Sequence, residues 1–343
     1  MTSFKRRTEK FWDWFHCNVD IINMEMHNQR KAAKIISREL NKVFNDIPYL
    51  IGGTDKEFEL TVSPQGNKDK FFLARFWKEQ SRQIDGWTFF DYKHLNKNNF
   101  FEFAVEGKSI RITRDDMFFR PTINTANKRI DVELFCEKLS AVNDDTKLEY
   151  SFLLLDDCLG EGYTETAIGG VRMTSMKTSE MLSINELYPY IVSVFSNNEW
   201  MLFESPIDSF QIYNLKPKEV CKFYRDDIFI GNTCHIGLLN NCLQGNRENI
   251  SYMRSVGAEY AFIAYENTGI PLEKIPEFRG NIEDMLFSFL KTHRLGYLIG
   301  GATGTIMSYI DLLVFDISEF RQRIKGIDLN VKMEIIPFRD LLK

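Results

Sequence analysis

What most limits the fold of this 343-residue chain is a succession of hydrophobic periods that returns along its length. From Glu9 to Asn45 the residues Trp12, Phe15, Val19 and Ile22, then Ala33, Ile36, Leu40 and Val43, fall three or four apart, the stripe of an amphipathic helix. A less regular stretch at Met24–Gln29 marks a break between two helices. Ile47–Pro48 ends the second, because the residue before a proline avoids the α region. The pentapeptide YLIGG follows at Tyr49–Gly53. Then comes EFELTVS, whose Phe58, Leu60 and Val62 alternate with polar neighbours as in a half-buried strand. KDKFFLARFWKEQSRQ restores helical spacing, and WTFFDY reads as strand.

The same order returns near the other end. GNIEDMLFSFLKTHRLG sets Ile282, Met285, Leu286, Phe289 and Leu290 on one side of a helix, and YLIGG recurs at Tyr297–Gly301. IMSYIDLLVFD then reads as strand, ISEFRQRIKG as short helix and NVKMEIIPF as strand. A looser copy lies between them: helical TKLEYSFLLLDDCLG, then AIGGVRMTSM, then SINELYPYIVSVFSN with Ser183 and Glu186 at capping-box spacing, then WMLFES as strand. RDDMFFRPT at Arg114–Thr122 is echoed by RDDIFIGNT at Arg225–Thr233. The pattern predicts an α+β fold of repeated helix-strand-helix-strand modules, with helices packed mainly on one face of the sheets. Module boundaries are expected at 1–145, 146–270 and 271–343. At each joint the glycines are expected to turn the chain from helix end into strand, since glycine adopts positive φ cheaply.

A chain with 44% hydrophobic and 27% charged residues is ordinary for a globular protein, and 29 phenylalanines supply a large core. The formal charge of −5 argues against a nucleic-acid partner, which calls for a basic face. The short run Lys5–Arg6–Arg7 is expected to be a solvated end. The opening MTSFKRRTEKFWDWF lacks the apolar stretch of a secretory signal, and no apolar run reaches the roughly 18 residues of a membrane span. Six scattered cysteines without a CxxC pair read as reduced thiols, so a cytoplasmic location is expected.

The candidate chemistry is sparse. GGATG, with Gly300, Gly301 and Gly304, superficially resembles a phosphate-cradling loop, but a strand rather than a helix should follow it, so a tight turn is expected. The Gly-Lys-Ser at 107–109 has Glu102 where a phosphate loop needs its first glycine. Asp115–Asp116 and Asp226–Asp227 each follow an arginine (Arg114 and Arg225), and Asp156–Asp157 precede Glu161. Such acids can perform acid–base work or hold a hard cation; in a turn they cap backbone N–H groups or pair with the arginine. Asp311 interrupts an apolar strand and shares a face with Tyr309 and Leu313. It is expected at an exposed sheet edge or, if buried, paired with an arginine. Cys221, Cys234, His235 and Cys242 lack the close ligand pairs of a zinc site. No catalytic residue, cofactor or metal follows from any motif.

FWDWF, the LGE after an apolar helix, RDDIFIGNT, and RGNIEDML leading into IGGATGTIMSYIDLLVFD together resemble an uncharacterised bacterial family, domain of unknown function 695. The resemblance is scattered over most of the chain. It implies a bacterial protein and supplies no activity, cofactor or catalytic residue; proteins of this kind occur near toxin and immunity genes. The expectation is a binding protein without catalytic activity that acts on a protein partner as an immunity-like antagonist. The alternative is a hydrolase-type enzyme acting on a small or anionic substrate through carboxylates. Candidate site residues for either are Glu161, Arg225, Asp226, Asp227, Gly301, Gly304, Tyr309 and Asp311.

Overall fold

The computed structural model describes residues 2–54, 57–95, 100–105, 108–140, 142–327 and 331–341. Ser3 accepts the Arg6 N–H to open α1 (Phe4–Glu25), and Asn28 accepts the Lys31 N–H to open α2 (Gln29–Phe44). An antiparallel hairpin, β1 (Tyr49–Gly53) with β2 (Phe58–Val62), leads to α3 (Lys68–Glu79) and β3 (Trp87–Phe90). Two more hairpins follow, β4 (Phe100–Val105) with β5 (Lys108–Thr113), and β6 (Met117–Asn124) with β7 (Arg129–Cys136). Asn143 caps α4 (Asp144–Leu159), Gly160 separates it from α5 (Glu161–Ala167), and β8 (Ile168–Met173), β9 (Leu182–Ser183) and α6 (Leu187–Asn197) come next. The rest runs β10 (Gln211–Asn214), β11 (Ile228–Thr233), α7 (Ile236–Leu243), α8 (Glu248–Val256) and β12 (Glu259–Glu266). It closes with α9 (Ile275–His293), β13 (Gly296–Gly304), β14 (Met307–Val314), α10 (Ile317–Arg323) and β15 (Met333–Pro337). The fold is α+β. No helix among the described residues is long and apolar enough to cross a membrane.

The chain divides into two compact units, each drawn from more than one segment of sequence. Unit 1 takes Met1–Ile47, Lys68–Trp87 and Phe210–Lys343; unit 2 takes Pro48–Asn67 and Thr88–Ser209. These divisions cut across the consecutive boundaries at 145/146 and 270/271 that the sequence suggests.

Unit 1 is built on an antiparallel sheet ordered β10-β11-β13-β14-β12-β15. Within it, β12-α9-β13-β14-α10-β15 is a split β-α-β arrangement, with each helix returning the chain to a non-adjacent strand. One face buries Ile263, Ile310, Leu312 and Val314 against Ile282, Leu286, Phe289 and Leu290 of α9. Each such side chain contributes about 1.5–3 kcal/mol when fully buried. The opposite face carries Tyr260, Phe262, Tyr309 and Leu313, and β12 and β14 are consequently buried on both sides. α1, α2 and α3 meet in an aromatic cluster in which Trp12 stacks 4.7 Å from Trp77 and donates its indole N–H to the Trp77 carbonyl. Phe76 continues that cluster onto Phe315.

Unit 2 holds a sheet ordered β8-β7-β6-β9 and the three-stranded sheet β1-β2-β3. β7 and β8 run parallel because α4 and α5 cross between them. β7 alternates buried and half-buried residues, and its inner face packs on Leu154, Leu155 and Leu159 of α4 and Leu187 and Ile191 of α6.

The outer modules share one element order (helix, strand, strand, helix, strand) because YLIGG is itself strand in both. Their sheets are assembled differently: β3 lies beside β2, whereas β15 lies beside β12 rather than β14. In addition, α2 and α3 belong to unit 1, and β1 and β2 to unit 2. The middle segment departs further, since 200–203 form no strand and Ser183 caps a short 3-10 turn before α6. The modules therefore share a local succession of elements, not a common sheet.

Three expectations need correction. The helices that precede the two YLIGG copies end through Asn45 (φ +63°) and Arg294 (φ +51°), not through the glycines of the pentapeptide. GGATG is strand, part of β13, rather than a tight turn, because Gly300–Thr303 pair with β11 and β14. Lys5 is not a solvated end: its Nζ donates to Glu319 at 2.9 Å and to the His293 carbonyl at 3.0 Å. The Gly-Lys-Ser at 107–109 begins outside the described residues.

The glycines of YLIGG have a different reason. Gly53 has φ +121°, and a Cβ there would overlap the Glu57 carbonyl across the hairpin, while Gly52 faces open space. Gly53→Ala should thus destabilise the protein by about 1 kcal/mol or more, and Gly52→Ala should not. Thermal unfolding of the two variants side by side checks this, and equal midpoints would contradict it.

Candidate functional site

Five of the eight candidate residues, Arg225, Asp227, Gly304, Tyr309 and Asp311, converge on the sheet face opposite α9. Asp311 lies in the middle of β14, between Phe262 of β12 and Gly300 of β13, and is only 4% exposed. The exposed-edge expectation for it is wrong; the alternative, burial with an arginine, is what the fold builds. Arg225 Nη1 and Nη2 reach the Asp311 carboxylate at 2.5 and 3.3 Å, and Nη2 also lies 3.3 Å from the Tyr213 hydroxyl. The guanidinium sits 5.2–5.4 Å from the ring centres of Phe262, Tyr309 and Phe338. Burial alone would depress the Arg225 pKa, but Asp311 overrides it and holds the value above the ordinary one. Arg225 occupies φ +73°, and its N–H donates to the Tyr309 hydroxyl at 2.8 Å.

The Tyr309 hydroxyl donates in turn to Asp227 Oδ1 at 2.6 Å, and Asp227 Oδ2 accepts the N–H groups of Ile306 and Met307 at 2.9 and 2.8 Å. Gly304 is required here because a Cβ would fall on the Asp227 carboxylate. Asp226 turns the other way. It accepts the Lys222 and Phe223 N–H groups and pairs with Lys218 at 2.6 Å. Burial raises its pKa, but Lys218 and those N–H groups outweigh it and hold the carboxyl below its usual range. The turn reading of Arg-Asp-Asp applies to both copies, since Asp116 accepts the Thr113 N–H and pairs with Lys138. Gly301 lies on the α9 face instead, where a Cβ would come 2.8 Å from both the Tyr309 carbonyl and a Glu283 oxygen.

A cavity of about 680 Å³ adjoins this cluster, lined by Cys221, Phe223, Tyr224, Asp227, Met307 and Tyr309 among others. Asp227 and Tyr309 reach it with their polar atoms already engaged. The chemistry the cluster performs is structural: it clamps the 218–227 segment to the sheet.

Glu161 stands apart, in unit 2. Its Oε1 accepts from the Ser63 hydroxyl and from the Gln65 N–H at 3.2 Å, and its Oε2 from the Lys93 N–H at 2.9 Å. Burial pushes its pKa up against those donors. Asp156, half-buried nearby, is pushed to about 7, by burial first and by the Glu161 charge second. Lys93, which pairs with Asp157, is lowered by its own burial.

One buried polar group had no sequence signal. Asp69 of α3 accepts from His235 Nε2 at 2.8 Å, from the Tyr260 hydroxyl and from Asn249 Nδ2 at 2.7 Å. His235 Nδ1 accepts the Leu238 N–H and caps α7, so its proton resides on Nε2. These residues lie 69 to 260 positions along the chain, and only an acid on the buried side of α3 could have hinted at them. Cys234, beside this histidine, is buried, whereas Cys221 is exposed.

No family model, curated protein or solved structure matches this chain.

Two outcomes follow from the geometry. Arg225→Met leaves Asp311 as an uncompensated buried charge and should cost about 3–5 kcal/mol in urea unfolding, with much of the loss recovered when Asp311→Leu is added. For Asp156, a folded pKa of about 7 against an ordinary 3.8 means the folded state holds the proton more tightly. Its favourable contribution is complete below the ordinary value and is lost as pH rises through 7. Asp156→Asn should therefore gain stability relative to wild type between about pH 4 and 7, with no further change above. Urea titrations across that range give the difference directly.

Proposed function

We propose that this chain works by binding another protein, without catalysis, through the free edge of the unit 1 sheet. The observation that carries the reading is β10. Its Ile212 is 76% exposed, the preceding Phe210 is exposed, and Ile230 of the paired strand shares a face with Ile212 through the register Ile212↔Asn232 and Asn214↔Ile230. Edge strands are normally blunted by charge or proline, because their outward N–H and C=O groups invite pairing. β15, at the other edge, follows that rule with Glu334 and Pro337; β10 carries neither device. An unprotected apolar edge suits an extended segment of a partner added as a further strand. An immunity-like antagonist, which inhibits by occupying its partner, needs no more than such a face.

A second reading, a hydrolase-type enzyme acting through carboxylates, is favoured by Asp156 and Glu161. An acid near pKa 7 beside a second acid is suited to general acid–base work. The hydrogen bonds that occupy both Glu161 oxygens weigh against it.

Affinity capture from native cells, quantified by mass spectrometry, separates the readings when wild type is compared with Ile212→Lys and with Phe210→Ser/Ile212→Lys. The binding reading expects a stoichiometric protein partner that both variants lose while keeping the wild-type thermal midpoint. A partner retained at wild-type yield would sink it.

A further inference from the structure

Four carboxylates of unit 2, Asp156, Asp157, Glu161 and Glu165, crowd the junction of α4 and α5, with the Lys93 ammonium among them. Lys93 is committed to Asp157, and Arg114 donates to the Asp157 carbonyl at 3.5 Å. Glu161 grips two other stretches of chain. Its carboxylate holds the Ser63 hydroxyl and the N–H groups of Gln65 and Lys93, and its own N–H donates to the Lys93 carbonyl at 2.9 Å. One residue thus binds Lys93 through both of its main-chain groups. The gripped stretches lie in sequence beside the points where the chain leaves unit 2, after Asn67, and returns to it, at Thr88.

Thr164 of α5, buried, connects Asp156 to this grip. Its hydroxyl donates to the Gly160 carbonyl at 3.1 Å, and the same oxygen is hydrogen-bonded to Asp156. A hydroxyl has one proton and cannot donate to both acceptors. A protonated Asp156 removes the conflict: its O–H donates to Thr164, and Thr164 donates on to Gly160, the residue before Glu161. An ionised Asp156 draws the Thr164 proton to itself, takes that bond from Gly160 and sets a second charge beside Glu161. Burial first and the Glu161 charge second keep the proton on Asp156, with Glu165 adding to them; the Thr164 bond and Lys93 act the other way.

We propose that the α4–α5 junction is a pH-sensitive latch on residues 63–65 and Lys93, closed while Asp156 keeps its proton and released when that proton is lost. The closed form binds the proton more tightly than the open form. Its stability is therefore fully present below the ordinary aspartate value of 3.8 and is lost as pH rises through about 7. The latch gives Asp156 and Glu161 a task that needs no substrate, and it does not involve β10.

Hydrogen exchange of the full chain, followed by mass spectrometry and corrected for the intrinsic pH dependence of amide exchange, tests the latch. Between about pH 5 and pH 8, protection of segments 58–67 and 88–95 in wild type should fall by about tenfold or more. Strand β12 of unit 1 should keep its protection over the same range. Asp156→Asn, which cannot ionise, should protect both segments equally at the two pH values. Unchanged protection in wild type, an equal loss in β12, or a loss in Asp156→Asn as large as in wild type overturns the proposal. The wild-type measurement decides by itself if the variant does not fold. Capture of a partner at β10 is a separate experiment, so the two readings fail independently.

Discussion

The buried pair of Arg225 and Asp311 sets the terms for the sheet face opposite α9. Taking a carboxylate and a guanidinium out of water costs several kcal/mol each, and good geometry has to offset it. The two contacts to Asp311, the Tyr213 hydroxyl and three surrounding rings supply that geometry. The pair also fixes the neighbouring chain. With Arg225 anchored, Asp226 and Asp227 must point in opposite directions, one back into the 218–223 turn and the other across to the start of β14. A loop that would otherwise lie loosely over the sheet is thereby stitched to it.

The glycines of β11 and β13 belong to the same arrangement. A Cβ at Gly231 would strike the Tyr213 ring that helps hold Arg225, and one at Gly304 would strike Asp227. Gly300, at φ +153° beside the β13 bulge, leaves no room for a Cβ against the Asn232 carbonyl of β11. The glycine density that superficially resembles a phosphate loop is three separate packing demands along one strand. The negative charges gathered from distant parts of the chain are mostly absorbed in the same way, by backbone N–H groups and buried donors. Asp69, Asp227 and Glu161 each accept three hydrogen bonds. On the surface of unit 1, the outer strand β10 carries neither charge nor proline.

Much of the local structure was legible because period is a local property. The stripe of Trp12, Phe15 and Ile22, the alternation through Phe58, Leu60 and Val62, and the break near Met24–Gln29 are set by neighbours within a few positions, and the helices and strands formed there. The Arg-Asp-Asp turns were legible for the same reason. The residue types at the Arg225 cluster also narrowed the site: an acid inside an apolar strand cannot be buried without a cation, and Asp311 has one.

Which cation, and which strand beside which, lay beyond the sequence. Arg225 and Asp311 are brought together by strand order, and nothing local decides that β15 docks on β12 while β3 docks on β2. The repeated YLIGG illustrates the limit. Identical residues form a strand in both places, but the first Gly-Gly closes a hairpin and the second bridges two strands of a six-stranded sheet, because their long-range partners differ. Likewise the Asp69, His235 and Tyr260 network and the edge position of β10 are facts of assembly. By itself the sequence determined most of the helices and strands and the apolar stripes that needed burial; only the tertiary structure decided which charges would find partners, since pairing depends on distance in space.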